Sequence, residues 1–240
     1  MIQIEKISKK FGKLSVLNSV DLFLNKGECI ALVGPNGCGK TTLIKIILGM
    51  VIPDTGNILV NNESILKAEL YKKQIGYMPQ IGRYPQNMTI GQIIKMIKGI
   101  RNSDAELDYD LYKAYDLDSL LDKKMSTLSG GTMQKVSAVL AFMFNPAILI
   151  LDEPTAGLDP IAAEKLKQKI IAEKQKGKLI IITSHLLSEL DDMVSELIFM
   201  QEGDIIFHQS VSALKKYTQT EKISKAILQI LKAGKNGKNI

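Results

Sequence analysis

Apolar and polar residues alternate along Ile2-Gln3-Ile4-Glu5-Lys6-Ile7, the pattern of a half-buried strand. Val16 to Leu24 continues in strand-like fashion, and Lys26-Gly27-Glu28 turns into the short, β-prone run Glu28-Cys29-Ile30-Ala31-Leu32-Val33. Leu43, Ile44, Ile46, Ile47 and Leu48 then have the density of a buried helix, which Gly49 stops. Pro53-Asp54-Thr55-Gly56 predicts a turn, Ile58-Leu59-Val60 a strand, and Asn61-Asn62 a second turn. Tyr71 to Gln74 reads as a short surface helix, and Ile75-Gly76-Tyr77-Met78 as another strand, ended by Pro79-Gln80.

From about Met88 the character changes. Thr89 and Gln92 have capping-box spacing at a helix start, and Ile93, Ile94, Ile97 and Ile100 recur at helical intervals. Asp110 to Leu121 adds another helical run, and Met133 to Phe144 a long one. This predicts an α-helical lobe, about residues 88–135, inserted into an α/β domain that covers 1–240. Ala147-Ile148-Leu149-Ile150-Leu151 and Leu179-Ile180-Ile181-Ile182-Thr183 are continuous apolar runs, as in strands buried on both faces of a parallel sheet. Inside a basic tail at about 215–240, Ile223, Ala226, Ile227, Ile230 and Leu231 keep helical spacing, so its apolar side is expected to pack on the body.

Composition narrows the class. With 45% hydrophobic and 23% charged residues in 240, the chain has the make-up of an ordinary globular domain. The longest apolar candidate, Ala138 to Leu151, is broken by Asn145-Pro146, so no membrane-spanning helix is expected. The first residues lack the layout of a signal peptide, and two cysteines make no disulfide framework; a reducing cytoplasm suits both. Net charge is +6, but from Lys215 onward seven lysines face the single acid Glu221, which leaves the rest of the chain neutral. A global nucleic-acid-binding surface is therefore not indicated.

The chemistry gathers at strand ends. Gly34-Pro35-Asn36-Gly37-Cys38-Gly39-Lys40-Thr41-Thr42 fits G-x-x-x-x-G-K-[ST], and it stands between a predicted strand and a predicted helix, as a phosphate-binding loop must. Its glycines let backbone N–H groups converge on an anion, helped by the positive end of the following helix. Lys40 would reach the β- and γ-phosphates and the Thr41 hydroxyl would ligate Mg²⁺. Asp152 and Glu153 close the Ala147–Leu151 run, at the end of a strand where open α/β sheets place ligands. There Asp152 would hold Mg²⁺ and Glu153 would polarise the attacking water. His185 ends the Leu179–Ser184 run on the same expected edge, whereas His208 has no such neighbours. Phe11, in Lys9-Lys10-Phe11-Gly12-Lys13, could stack on a purine or pack in the core.

Leu128-Ser129-Gly130-Gly131 precedes the long helical run that leads into Asp152-Glu153. With the phosphate loop, Gln80, Gly157-Leu158-Asp159-Pro160 and His185 in the same order, it makes the chain resemble the nucleotide-binding domain of ATP-binding cassette (ABC) transporters over roughly residues 1–215. The resemblance implies a P-loop NTPase core with a mainly parallel sheet, an N-terminal antiparallel β subdomain and the inserted helical lobe. It implies an ATPase using ATP and Mg²⁺. Two copies, identical or homologous, would sandwich two ATP head to tail, the phosphate loop of one facing Ser129-Gly130-Gly131 of the other. Glu153 would be the general base. Gln80 would contact the metal, His185 the γ-phosphate, and Asp159 would couple the two sites. The motor would drive a separate permease chain from the cytoplasmic face of the membrane, a coupling helix entering near Tyr77 to Met88 and the lobe.

Two residues depart from the family pattern: Thr132 stands where Gln is usual, and Cys38 where Ala or Ser is common, which would expose the loop to thiol reagents. A narrower resemblance, carried by Gly76–Gln80, Tyr84–Thr89 and Leu158–Ala162, is to the ATPase of the copper-processing transporter that accompanies nitrous-oxide reductase. The chain has no Cys/His cluster of metal-ligand spacing. Two other classes compete. Non-transport ABC ATPases acting on DNA or ribosomes carry coiled-coil or zinc insertions, or a second cassette, and none is visible here. A GTPase would need Asn-Lys-x-Asp; Asn25-Lys26-Gly27-Glu28 lies before the phosphate loop and does not substitute.

Overall fold

In the computed structural model, which describes residues 1–66, 69–101, 106–184 and 187–235, ten strands and seven α-helices follow one another among the described residues. They are β1 (Ile2–Phe11), β2 (Leu14–Leu24), β3 (Cys29–Val33), α1 (Lys40–Ile47), β4 (Thr55–Val60), β5 (Glu63–Ser64), β6 (Ile75–Met78), α2 (Ile90–Arg101) and α3 (Asp110–Ala114). Then come α4 (Gly130–Phe142), β7 (Ile148–Asp152), α5 (Pro160–Gln175), β8 (Leu179–Thr183), β9 (Glu196–Gln201), β10 (Asp204–Ser210), α6 (Val211–Thr218) and α7 (Ile223–Lys235). The chain divides into two compact units, Met1–Ala68 with Thr183–Ile240, and Glu69–Ile182. The fold is mixed α/β, with an antiparallel N-terminal sheet and parallel strand pairs elsewhere.

In the first unit the sheet order is β2-β1-β4-β5, with Ile2 opposite Leu24 and Val60, and Ile4 opposite Leu22 and Ile58. The alternation read from the sequence puts Ile2, Ile4 and Ile7 of β1 and Leu22 and Leu24 of β2 in the core. Thr55 and Gly56, expected in a turn, already belong to β4. Thr55 pairs with Ser8, across a register shift between Glu5 and Ser8. β3, buried along its whole length, pairs in parallel with β9, and β9 pairs antiparallel with β10. The tail packs as its spacing implied. Ile223, Ala226, Ile227 and Ile230 are buried, and Asp191 accepts from the Ile223 N–H at 3.0 Å and from Lys215 at 3.1 Å.

In the second unit β6 runs parallel to β7, Ile75 beside Ile148 through Met78 beside Leu151, and β8 follows on the other side of β7. Both β7 and β8 are buried throughout, which is why their runs lack alternation. α2 opens with a reciprocal capping box: Thr89 N–H donates to Gln92 Oε1 at 2.9 Å, and Gln92 N–H to Thr89 Oγ1 at 3.2 Å. The helix expected over Asp110 to Leu121 is broken. α3 ends at Ala114, Asp116 turns left-handed (φ 49°), and a 3-10 turn spans Leu117–Leu120. The break lets Tyr115 bury its ring and donate to the Ala162 carbonyl at 3.0 Å while Leu117 enters the core. Asp is among the few side chains that tolerate that backbone. Tyr71, expected on a surface helix, sits in a 3-10 turn and is buried.

An ion cluster ties α5 to the start of α3 and the segment ahead of it. Lys169, itself buried, meets Asp108, Asp110 at 2.7 Å and Glu173 at 3.0 Å; Glu173, 0% exposed, also meets Lys176 at 2.7 Å and Lys178. Burial alone would raise the Glu173 carboxyl, but hydrogen bonds from Lys176, Lys178 and Lys169 outweigh it and hold the group down, from its ordinary 4.5 to about 2. Since the folded value is the depressed one, this stabilisation is fully present above pH 4.5 and drains away as pH falls through about 2. Glu173→Gln should cost about 3 kcal/mol near neutral pH, because it removes the buried anion that Lys169, Lys176 and Lys178 share. Urea unfolding of both proteins should show that gap shrinking as pH drops below 4.5.

Candidate functional site

The phosphate loop leaves the end of β3 in the first unit. Gly34 takes φ 155°, and a Cβ there would stand 2.1 Å from the Met200 carbonyl oxygen. Gly39 takes φ 109° with Val16 O 2.6 Å from the same imagined atom. No L side chain fits either place, so the glycines of the motif are a steric necessity. Gly39 is the N-cap of α1 and provides no side-chain hydrogen bond, which leaves the first-turn amides to an anion. Lys40 Nζ donates to the carbonyls of Gly34 (2.7 Å) and Pro35 (3.0 Å), its charge lying against the loop itself. Pro35, Asn36, Gly37 and Thr41 are exposed and Thr42 half-buried.

Cys38 is only 3% exposed, with its sulfur 3.7 Å from Lys40 Nζ. The expected access for thiol reagents is therefore absent from this conformation: the thiol packs under the loop. Phe11 is 51% exposed at the end of β1, with Lys9 Nζ 5.4 Å from its ring centre, so of the two readings core packing is excluded. His185 lies outside the described residues. His208 on β10 is half-buried, and burial pushes its pKa down, partly opposed by Glu28.

The second unit holds the acidic residues. Asp152 is the buried last residue of β7, and Glu153 leaves the strand with φ 50°. Gln80, just past β6, donates from Nε2 to Glu153 Oε2 at 2.9 Å, so the parallel pair β6–β7 delivers two residues 73 positions apart to one point. Gln134 of α4 reaches the Glu153 carbonyl oxygen at 3.5 Å. Burial and the Asp152 charge push the Tyr77 hydroxyl up to about 12. Asp152 and the Gln80 amide oxygen are hard oxygen donors, and among the described residues no group of three or more His, Cys, Asp or Glu forms a closed cage. That set fits Mg²⁺, which keeps waters and takes phosphate oxygens rather than a full protein shell.

The same unit carries the Leu-Ser-Gly-Gly motif at the start of α4. Ser129 is its N-cap: Oγ accepts the Thr132 N–H at 3.2 Å and lies 2.9 Å from the Thr132 hydroxyl. The two glycines differ. A Cβ on Gly131 would meet the Gly157 carbonyl at 2.8 Å, whereas one on Gly130 would meet nothing within 4 Å. Asp159 caps α5, with Oδ1 accepting from Ala162 N–H (2.8 Å) and Oδ2 from Lys135 Nζ (2.7 Å). Lys135, then the Ala162 amide, hold its carboxyl below the usual range. Sequence reasoning missed Lys135 and Gln134. Both stand on the helix that follows the motif, at positions where helical spacing from Gly131 would have placed them near its tip.

Comparison with known proteins agrees with this layout. The ABC transporter family model matches residues 17–156. The Nod factor export ATP-binding protein I of Burkholderia lata is 31% identical over 218 residues, covering 89% of this chain and 72% of that protein. The lantibiotic transport ATP-binding protein SrtF of Streptococcus pyogenes is 31% identical over 209 residues, 87% of this chain and 90% of its own. A solved ATP-binding subunit of an ABC transporter superposes with a TM-score of 0.88 at 25% identity, over 96% of this chain and 99% of that one.

The two adjacent glycines can be told apart. Gly131→Ala should lose about 1–3 kcal/mol by forcing a carbonyl contact. Gly130→Ala should be neutral or gain up to about 1 kcal/mol at the head of a helix. Thermal unfolding of both variants checks the contrast; equal losses would place Gly130 in the packing as well.

Proposed function

The chain belongs to the ABC transporter family as an ATP-binding cassette with ATPase activity, and from that footing we propose that it powers a membrane permease as one of a head-to-tail pair of cassettes around two ATP and Mg²⁺. The observation that carries the reading is the 2.9 Å hydrogen bond from Gln80 to Glu153. It links the loop after β6, the stretch expected to feel the permease, to the carboxylate expected to do the chemistry. Ile81 beside Gln80 is exposed, as a surface for a partner's helix should be.

The residues take these roles. Backbone N–H groups of Gly34 to Thr42 hold the phosphates, and Lys40 exchanges its loop carbonyls for the β- and γ-oxygens. Thr41, Asp152 and Gln80 would hold Mg²⁺, which supplies charge neutralisation across the phosphate oxygens. Glu153 accepts the proton of the attacking water, with the Gln80 amide fixing its rotamer. Ser129, Gly130 and Gly131 of the partner copy add donors to the γ-phosphate from a helix N-terminus. Gly130 has the open space this needs, and Gly131 fixes the tip against Gly157. Asp159 relays the state of one site to the other through its ion pair with Lys135. Phe11 offers its half-exposed ring to the purine, and His185 contacts the γ-phosphate as in the family pattern.

On this reading the cassettes are peripheral at the cytoplasmic face of a permease carried on a separate chain; no described helix is long and apolar enough to cross a membrane. The likeness to the copper-processing ATPase is carried by three short runs alone. Among the described residues no group of three or more His, Cys, Asp or Glu stands together, so nothing in the site adds to that likeness.

Glu153→Gln should lower steady-state ATP turnover about 10²–10⁴-fold while keeping ATP binding, and should accumulate an ATP-dependent dimer in light scattering. Normal turnover would remove Glu153 from the role of base. Native purification should recover an integral membrane partner; recovery of ribosomes or DNA instead would replace the transport reading.

A further inference from the structure

The family usually places Gln after the Leu-Ser-Gly-Gly motif; this chain has Thr132, and its hydroxyl lies 2.9 Å from that of Ser129. A hydroxyl has one proton and two lone pairs. One lone pair of Ser129 Oγ already accepts the Thr132 N–H at 3.2 Å. The remaining 2.9 Å contact can run in either sense. With Ser129 donating, its proton is spent inside its own helix and it offers only a lone pair outward, with no donor for an anion. With Thr132 donating, both lone pairs of Ser129 are filled from one residue, and the Ser129 proton is directed at an outside acceptor. Ser129 is exposed and Thr132 half-buried behind it, so the outer hydroxyl is the one a ligand would meet. A phosphate oxygen carries lone pairs and no proton in this state, so its arrival selects the second sense.

We propose that Thr132 is a positioning residue that sets the direction of the Ser129 hydroxyl, making a relay from Thr132 O–H to Ser129 O–H to a γ-phosphate oxygen of the ATP held by the other copy. The inference rests on the head-to-tail reading above. Hydrogen bonds in such a chain polarise one another, so the relay strengthens the outer bond as well as aiming it. Thr132 touches no nucleotide in this scheme. It compensates for the missing Gln by acting through its neighbour, and the N-cap of α4 is independent of its hydroxyl because Ser129 holds the Thr132 amide.

The test uses the full chain in the Glu153→Gln background, with ATP-dependent dimerisation followed by light scattering across protein concentration. Thr132→Val keeps the branched shape and the amide but removes the hydroxyl, and should weaken dimerisation about tenfold, since one directed bond is lost at each of the paired sites. Thr132→Ser should restore it to within about twofold. In a Ser129→Ala background, Thr132→Val should add nothing further, because the two residues act as one. ADP affinity of the single chain and its melting temperature should not move in Thr132→Val. A silent Thr132→Val, a full effect surviving in Ser129→Ala, or an equal loss of ADP affinity would each overturn the inference. A parent that never dimerises with ATP would sink the head-to-tail reading and this inference with it. A parent that dimerises beside a silent Thr132→Val sinks the inference alone.

Discussion

An anion as dense as a triphosphate would be held here by backbone, and backbone can approach it only where side chains are missing. Gly34 and Gly39 are walled in by the carbonyls of Met200 and Val16, in conformations an L side chain rarely takes, so the loop has its shape before any nucleotide arrives. The same solution appears at the head of α4, where Gly131 closes on Gly157 and Gly130 is left open. Charge follows from this geometry. Lys40 rests on two carbonyls of its own loop, partners that a phosphate can outbid because they are neutral.

Within the second unit, the residues to which the proposed reading gives chemistry and coupling are fastened to one another. Gln80 holds Glu153; Gln134 of α4 touches the Glu153 carbonyl; Lys135, one residue on, holds Asp159. Tyr84, four residues beyond Gln80, shares a 3.0 Å hydrogen bond with Ser137 on the same helix. The tip that would face a partner's nucleotide is therefore continuous with the loop that would face a permease. On the proposed reading, a push on Tyr84 or Ile81 would reach Glu153 through Gln80 and the Ser129 helix through Ser137.

Much of this was legible from residues alone, for reasons that can be named. β3, β7 and β8 are buried on both faces, so they are unbroken apolar runs, and the capping box at Thr89 needs only residues three apart. The Gly-Lys-Thr and Ser-Gly-Gly motifs carry their chemistry locally. The left-handed turn at Asp116 was hidden because the residues around it keep helical spacing, and the contacts that accompany the break, Tyr115 with Ala162 and Leu117 in the core, are distant in sequence. The Glu173 cluster and the Lys135–Asp159 pair were hidden because they join distant residues whose charges look solvated in a linear reading. Phe11 was undecidable for a similar reason: its surroundings are set by strand pairing, not by its neighbours in sequence.

Each copy, on this account, owns the base and the cradle but borrows the donors that finish the site. The most direct measurement is the ATPase rate per chain as the isolated protein is diluted at saturating ATP. The account predicts that specific activity falls steadily toward zero on dilution, with the total rate approaching the square of protein concentration. A specific activity that stays flat down to concentrations where light scattering finds only single chains would contradict it.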